Sequence, residues 1–220
     1  MRIFVFALLY MMSVPLAGAQ TVPDLGPEVE PPSAEDFSPL PEELPEEGGK
    51  VVVEEADPDA EKSRLEQLYS DLAEAKSPKS AERIARSIQR IWMASGSDTV
   101  DVLMSRAGRA IQSEDPALAL DFLDVVVTLK PSYAEGWNRR ATVHYMREDF
   151  GKSLVDIERT LALEPRHWGA LSGLAIIQRR LGFEDAALDT FRKALEVNPG
   201  LENAAKAVVD LEKEAEGEGV

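Results

Sequence analysis

The chain has 220 residues, contains no cysteine and carries a formal net charge of −16 at pH 7. The absence of cysteine excludes disulfide bonds, thiolate catalysis and thiolate metal sites. Most of the negative charge lies in residues 20–59 and in the tail from Asp210, so the body between them is close to neutral. A near-neutral body lacks the basic surface that nucleic acid requires, and we expect no nucleic-acid partner.

Residues 1–19 have the pattern of a secretory signal peptide. A short basic start precedes a mainly apolar run over residues 3–14, and Ala17 and Ala19 supply a small-x-small cleavage site. We expect cleavage before Gln20 and no stable membrane insertion afterwards, with secretion to the periplasm if the source is a Gram-negative bacterium. The alternative is retention as an anchor, but the apolar run is shorter than the roughly 20 residues that span a bilayer core.

Residues 20–59 form an acidic, proline-rich segment. They hold eight of the chain's fourteen prolines and thirteen acidic residues against one lysine. Low hydrophobicity combined with high charge and abundant proline prevents a packed core. The composition therefore predicts a disordered, rather extended linker.

The next segment shows the periodicity of two helices. Apolar residues recur at three-to-four spacing over residues 60–76 and 80–95. Pro78 ends the first of these helices early. Because Leu72 and Ala85 match positions of the units that follow, we interpret residues 60–99 as a degenerate N-terminal capping helix pair at the head of the same stack.

From residue 100 onward the chain repeats with a period of 34 residues, which separates Pro131, Pro165 and Pro199. Small residues recur with the same period, at Ala107, Ala141 and Ala175 and again at Ala119, Ser153 and Ala187. Small residues let two antiparallel helices approach closely, and proline ends one helix and orients the next. The period is typical of stacked helix-turn-helix units.

The three units resemble the tetratricopeptide repeat, with bounds at residues 100–133, 134–167 and 168–201. The resemblance implies an all-α fold, a solenoid of antiparallel helix pairs closed by a C-terminal capping helix. Residues 202–220 supply that helix and an acidic tail, with Ala205, Val208, Val209 and Leu211 on its apolar side.

No residue pattern indicates catalysis. His144 and His167 have no companions at metal-ligand or catalytic-triad spacing, and no phosphate-binding glycine pattern or nucleophile motif occurs. We expect core or loop roles for both histidines, no enzyme activity, no cofactor and no metal.

Binding is the expected function, and the resemblance implies where. In tetratricopeptide repeats the first helix of each unit lines a concave groove. The corresponding candidates here are Met104, Asn138, Arg139, Thr142, Tyr145, Met146, Ser172, Ile176, Arg179 and Arg180. This mixture suits a protein or peptide with acidic groups beside apolar anchors. The alternative function is an architectural or oligomerising component of an envelope complex.

Two further expectations concern charge. The places of Arg140 and Asp156 in the second repeat predict a structural ion pair. The acidic linker is tethered to the groove, which raises its local concentration. We therefore hypothesise that it docks weakly on the groove's arginines and competes with the partner.

Overall fold

The computed structural model describes residues 58–217, which form nine α-helices and no strand. The helices are α1 (Pro58–Ala73), α2 (Pro78–Met93), α3 (Asp98–Gln112), α4 (Pro116–Leu129), α5 (Ala134–Met146), α6 (Phe150–Leu163), α7 (Trp168–Arg180), α8 (Glu184–Val197) and α9 (Glu202–Gly217). None of the helices within this range is long and apolar enough to cross a membrane. The predicted signal peptide and the acidic segment up to residue 57 lie outside the described residues.

Local sequence signals fix where the helices begin. Ser77 accepts a hydrogen bond from the amide of Ser80, and Pro78 occupies the first turn of α2. Asp115 and Asp149 cap α4 and α6 in the same way. The prolines of the 34-residue period lie between α4 and α5, α6 and α7, and α8 and α9, where no amide donor is needed.

The turn inside each repeat needs one residue in the left-handed region of backbone conformation. Glu114 (φ 54°), Glu148 (φ 58°) and Gly182 (φ 78°) fill this place in the three repeats. Glycine adopts this conformation without the steric cost that a side chain brings. The equivalent geometry at 34-residue intervals confirms that the three units fold alike.

Close helix contacts at the small residues build the core, as predicted. Ala107, Ala141 and Ala175 are buried, as are Ala119, Ser153 and Ala187 on the partner helices. The Ser153 hydroxyl donates to the carbonyl of Ala141 across the α5–α6 contact, so its polar atom is satisfied.

Helix α9 closes the stack on α8, which confirms the predicted capping helix. Its buried residues are Ala204, Ala207 and Leu211, whereas Val209 is exposed. The predicted apolar side is therefore correct for Leu211 and wrong for Ala205 and Val209, which are exposed. Charged residues cover the side that faces solvent, as the end of a solenoid requires.

The N-terminal helix pair does not stack on α3 and α4, and this corrects the sequence-based interpretation. Its hydrophobic cluster (Tyr69, Leu72, Ala81, Ala85, Ile88) instead includes Trp168 at the start of α7. Val197 and Leu201, which flank the α8–α9 turn, pack against the same cluster. Helices α1 and α2 thus lie along the edge of the solenoid where the turns between repeats are found, and α2 also packs against α5.

Two arginines explain why the pair is not a fourth unit in the stack. Arg109 occupies the position of Val143 and Ile177, whose side chains are fully buried between repeats. A stacked pair would bury the Arg109 guanidinium, which is costly without a partner charge. The same register would bring Arg106 opposite Arg90, where Arg140 of the second repeat finds Asp124 instead.

Polar contacts hold the pair against the turns. Arg166, in the α6–α7 turn, pairs with both carboxylate oxygens of Glu66, at 2.6 and 3.0 Å. Its guanidinium also lies 3.7 Å from the ring centroid of Tyr69. The Tyr133 hydroxyl donates to the carbonyl of Met93 at 2.9 Å, and Lys130 donates to that of Ser95.

The docking of α2 predicts a large effect at Trp92, whose ring stacks on His167 with centroids 4.2 Å apart. Trp92→Ala should lower the free energy of unfolding by about 3 kcal/mol, the low end for a tryptophan because this one is partly exposed. Urea unfolding measures the loss. Arg86→Ala is the matched control on the same helix, because Arg86 pairs with Glu82 in solvent and should cost under about 1 kcal/mol. Equal losses in the two variants would contradict the docked position.

Candidate partner-binding surface

A buried polar network occupies the first turns of α5, where two binding candidates were predicted. Glu135 accepts from Arg139 at 2.5 Å, from the amide nitrogen of Asn138 at 2.9 Å and from His167 at 3.1 Å. Asn138 and Arg139 are therefore buried in an internal network beneath α2. The structure does not offer them to a partner, contrary to the sequence-based expectation.

His167 connects this network to the N-terminal helix pair. Its Nδ1 atom accepts a hydrogen bond from the amide of Ala170 and caps α7. The Nε2 atom must then carry the proton that it donates to Glu135. Trp92 stacks on the imidazole ring, so His167 has a buried structural role at the junction, in agreement with the expected core or loop role.

Three further candidates are also engaged within the protein. Met104 belongs to the hydrophobic core between α3 and α4. Tyr145 is buried against Phe150, with ring centroids 5.7 Å apart. Arg179 donates to both carboxylate oxygens of Glu214 on α9, at 2.9 and 3.2 Å. None of these side chains is presented to solvent as the open groove of the prediction requires.

The remaining candidates lie on α5 and α7 with part of their surface open. Thr142, Ser172, Ile176 and Arg180 are half-buried, and Met146 is exposed. The Thr142 hydroxyl donates to the carbonyl of Asn138 in its own helix. The guanidinium of Arg180 lies 6.0 Å from the ring centroid of Tyr145 and forms no ion pair within residues 58–217. Met146 and Arg180 thus end α5 and α7 at equivalent positions of successive repeats.

The turn from α7 to α8 exposes two large apolar side chains that the sequence analysis did not select. Phe183 is 60% exposed, and Leu181 is also exposed. We call Met146, Arg180, Leu181 and Phe183 the turn-edge patch, because all four lie at the α5–α6 and α7–α8 turns. A cleft beside this patch is lined by Gly182, Glu184, Asp185, Leu188, Leu211 and Ala215.

Phe183 stands at a position where the other repeats place a capping carboxylate. Asp115 and Asp149 accept an amide hydrogen bond there, whereas Phe183 makes no side-chain cap to α8. Its backbone (φ −94°, ψ 65°) matches that of Asp149 (φ −84°, ψ 65°), so an aspartate would fit. The missing cap could have been predicted from the sequence, because the 34-residue period aligns Phe183 with the two aspartates.

Arg140 and Asp156 form the predicted ion pair. The arginine donates to the two carboxylate oxygens at 2.7 and 2.8 Å, and Asp156 is only 1% exposed. Arg140 also donates to Asp124 of the preceding repeat at 2.9 Å and lies against the ring of Trp137. The pair therefore joins two repeats and has a structural role.

His144 lies on the other side of Asp156, with its Nε2 atom 3.8 Å from the carboxylate. Burial lowers the pKa of His144 below its ordinary value, and Asp156 only partly offsets this effect. Its position in the core confirms the expected role.

The third repeat supplies the replacement that tests this ion pair, since Leu174 and Thr190 occupy the equivalent places. Asp156→Ala should cost about 3–5 kcal/mol of stability because it removes one partner of a buried pair. Arg140→Leu should be similarly harmful because it leaves the Asp156 carboxylate unpaired. Arg140→Leu combined with Asp156→Thr should recover most of the loss, measured by thermal or urea unfolding. Additive losses in the double variant would contradict the pairing.

The Glu135 network predicts a loss of stability in acid. Burial alone would raise the pKa of Glu135, but the charge of Arg139 and the hydrogen bond from His167 outweigh it and lower the pKa to about 2. A carboxyl with a lowered folded-state pKa stabilises the fold above its unfolded value near 4.5. This contribution is lost as the pH falls from 4.5 toward 2. Glu135→Gln should flatten the decline in unfolding midpoint across that window, and an unchanged slope would rule out the network as its source.

The part of the chain that the structure describes holds no cluster of three or more His, Asp or Glu side chains arranged to bind a metal ion. Its histidines and buried carboxylates are engaged in the two structural networks above.

Comparisons with known proteins agree with a helical-repeat protein of the scaffold class. The chain is 40% identical over 168 residues to a TPR repeat-containing protein of Rhizobium etli, covering 76% of this chain and 82% of that protein. The chain belongs to the tetratricopeptide repeat family. Proteins of this family generally act as non-enzymatic scaffolds for protein–protein interaction, through extended concave surfaces. No protein-family profile matches the chain.

A shorter stretch is 26% identical to anaphase-promoting complex subunit 3 of Schizosaccharomyces pombe, over 37% of this chain and 12% of that protein. Among solved structures, the Arabidopsis OM64 TPR domain matches with a TM-score of 0.51 and 19% identity, over 53% of this chain and 97% of that domain. A crystal structure of MamA matches with a TM-score of 0.50 and 20% identity, over 67% of this chain and 85% of its own. These likenesses support the fold alone.

Proposed function

We propose that the protein is a non-enzymatic scaffold of the cell envelope that binds a segment of a partner protein along the turn-edge patch. Helix α2 and the Glu135 network occupy the start of α5, at the edge where the turns between repeats lie. The C-terminal ends of α5 and α7 carry Met146, the most exposed of the candidates, and Arg180, which forms no ion pair within residues 58–217. The binding site is therefore shifted from the middle of the groove to the edge where the turns within the repeats lie.

The exposure of Phe183 is the observation that carries this proposal. An aromatic side chain at a capping position gives up a stabilising hydrogen bond and leaves apolar surface in water. Met146 and Leu181 are further apolar residues exposed at the same edge. Aromatic residues in such settings supply much of the binding energy of protein interfaces.

The charges around the patch define the chemistry of the partner segment. Arg180 is open to a carboxylate, whereas Glu184 and Asp185, which follow Phe183 in the chain, line the adjacent cleft. A partner segment with apolar anchors for Leu181 and Phe183 satisfies this surface when an acidic group faces Arg180 and a basic group faces the cleft.

Two of the three cations predicted to dock the acidic linker are already paired within the protein. Arg139 is paired with Glu135 and Arg179 with Glu214, so only Arg180 of the three predicted cations is open to a carboxylate of the linker. We therefore do not retain competition by the linker as part of the function.

The envelope location rests on the signal peptide pattern of residues 1–19. N-terminal sequencing of the protein recovered from a periplasmic fraction should begin at Gln20. Recovery of the intact N-terminus from the cytoplasm would contradict secretion.

Site-specific photocrosslinking tests the binding surface. A photoreactive phenylalanine analogue at Phe183 or Met146 should give a discrete crosslinked product in cells. The same analogue at Val155 is the matched control, because Val155 is an apolar residue that is 62% exposed on α6. Arg180→Glu should weaken the product formed from position 183. Equal products from positions 183 and 155 would overturn the assignment.

Phe183→Asp should separate stability from binding. The aspartate restores the cap that Asp115 and Asp149 provide and should raise the free energy of unfolding by about 1 kcal/mol. The same change removes the aromatic anchor and should abolish partner crosslinking from Met146. A variant that is more stable and binds as before would show that Phe183 has no part in the interface.

A further inference from the structure

Helix α4 carries an apolar stripe on its outer side. Leu118, Val125 and Leu129 are between 43% and 56% exposed, and Phe122 lies in the same row with part of its ring buried. Their spacing of three and four residues aligns them on one face of the helix. The stripe is separate from the turn-edge patch, which belongs to the second and third repeats.

The other repeats show that the fold does not require apolar residues at two positions of this stripe, those of Leu118 and Val125, whereas Leu129 has apolar counterparts in Leu163 and Val197. Leu118 corresponds to Lys152 in α6 and Ala186 in α8, and these residues are exposed as well. Val125 corresponds to Arg159 and Lys193, which again are exposed. Repeats two and three thus place basic side chains or alanine at the outer positions where α4 places leucine and valine.

The stripe borders the free end of the solenoid. Val102 is exposed on α3, whereas its counterparts Gly136 and Ala170 are buried by the preceding repeat. A Cβ atom on Gly136 would lie 2.8 Å from Val126, which shows how closely successive repeats pack. The N-terminal helix pair lies elsewhere, so among the described residues no element takes the place of a preceding repeat on α3 and α4.

Unpaired charges flank the stripe on its two sides. Arg106 and Arg109 lie on α3, at one side, and Asp121 lies on α4 at the other side. All three are exposed, and none forms an ion pair within residues 58–217. The surface therefore carries cations on one side of the apolar stripe and a carboxylate on the other. Two such surfaces facing each other can pair each cation side with the carboxylate side of the other copy.

We propose that the exposed face formed by Val102 on α3 and by Leu118, Val125 and Leu129 on α4 is the interface between two copies of the chain. A two-fold axis parallel to α4 brings the stripe onto itself. It also places Arg106 of each copy beside Asp121 of the other, because the two-fold exchanges the flanks. Burial of the stripe supplies the stabilisation, and the two ion pairs fix the register.

Analytical ultracentrifugation of the full chain tests the interface. The unaltered protein should form a dimer, and Val125→Glu should raise the dissociation constant about tenfold or more by placing a carboxylate in the stripe. Val155→Glu introduces the same charge at an exposed valine of α6 and should leave the dimer intact. Val125 is exposed, so circular dichroism should show the same helix content in all three proteins.

A charge exchange distinguishes a second copy from any other occupant. Arg106→Asp and Asp121→Arg should each weaken the dimer, and the two changes combined should restore it. Phe183→Asp should not affect the dimer. A monomer at every concentration, or a dimer that tolerates Val125→Glu, would overturn the proposal. So would a loss at Arg106→Asp that Asp121→Arg does not reverse.

Discussion

Trp92 lies against the rings of His167 and Trp168, and the position of the N-terminal helix pair depends on this contact. Through it α2 is held to the turn between the second and third repeats rather than to the end of the stack. The apolar cluster beneath the pair extends the attachment to the α8–α9 turn. The docked helix pair therefore contacts three turns between helices: α4–α5, α6–α7 and α8–α9.

The docked helix pair determines which surfaces of the solenoid are exposed. It covers the start of α5, where Glu135 accepts hydrogen bonds from three side chains. The polar groups of this buried network already have hydrogen-bond partners. A binding partner would have to break these bonds and leave buried charges unpaired, which is costly in free energy. What stays open is the opposite edge, with Phe183 and Met146, and the uncovered face of the first repeat.

The repeats could be predicted from the sequence because their constraints are local and periodic. A 34-residue period, small residues at helix contacts and prolines between units each have a direct steric meaning. The Arg140–Asp156 pair could also be predicted, because two positions within one repeat face each other whatever surrounds them.

The position of α1 and α2 could not be predicted in the same way. Periodicity shows which face of a helix is buried, but not which surface covers it. Arg109 was the available signal, since a cation stands where the later repeats bury Val143 and Ile177. The groove candidates were misplaced for a related reason, because the family pattern assumes an open concave face. Asn138 and Arg139 are on that face, but α2 covers the part of it at the start of α5.

A crosslink between α1 and the α6–α7 turn tests this account most directly. The chain has no cysteine, so Glu66→Cys with Arg166→Cys introduces one pair against a clean background. The account predicts efficient crosslinking by a bis-maleimide reagent, whose length replaces the two side chains, because those of Glu66 and Arg166 are in contact. Glu66→Cys with Asp101→Cys is the control, because a helix pair stacked on α3 would bring those residues together instead. Crosslinking of the second pair without the first would contradict the docked position and the binding surface derived from it.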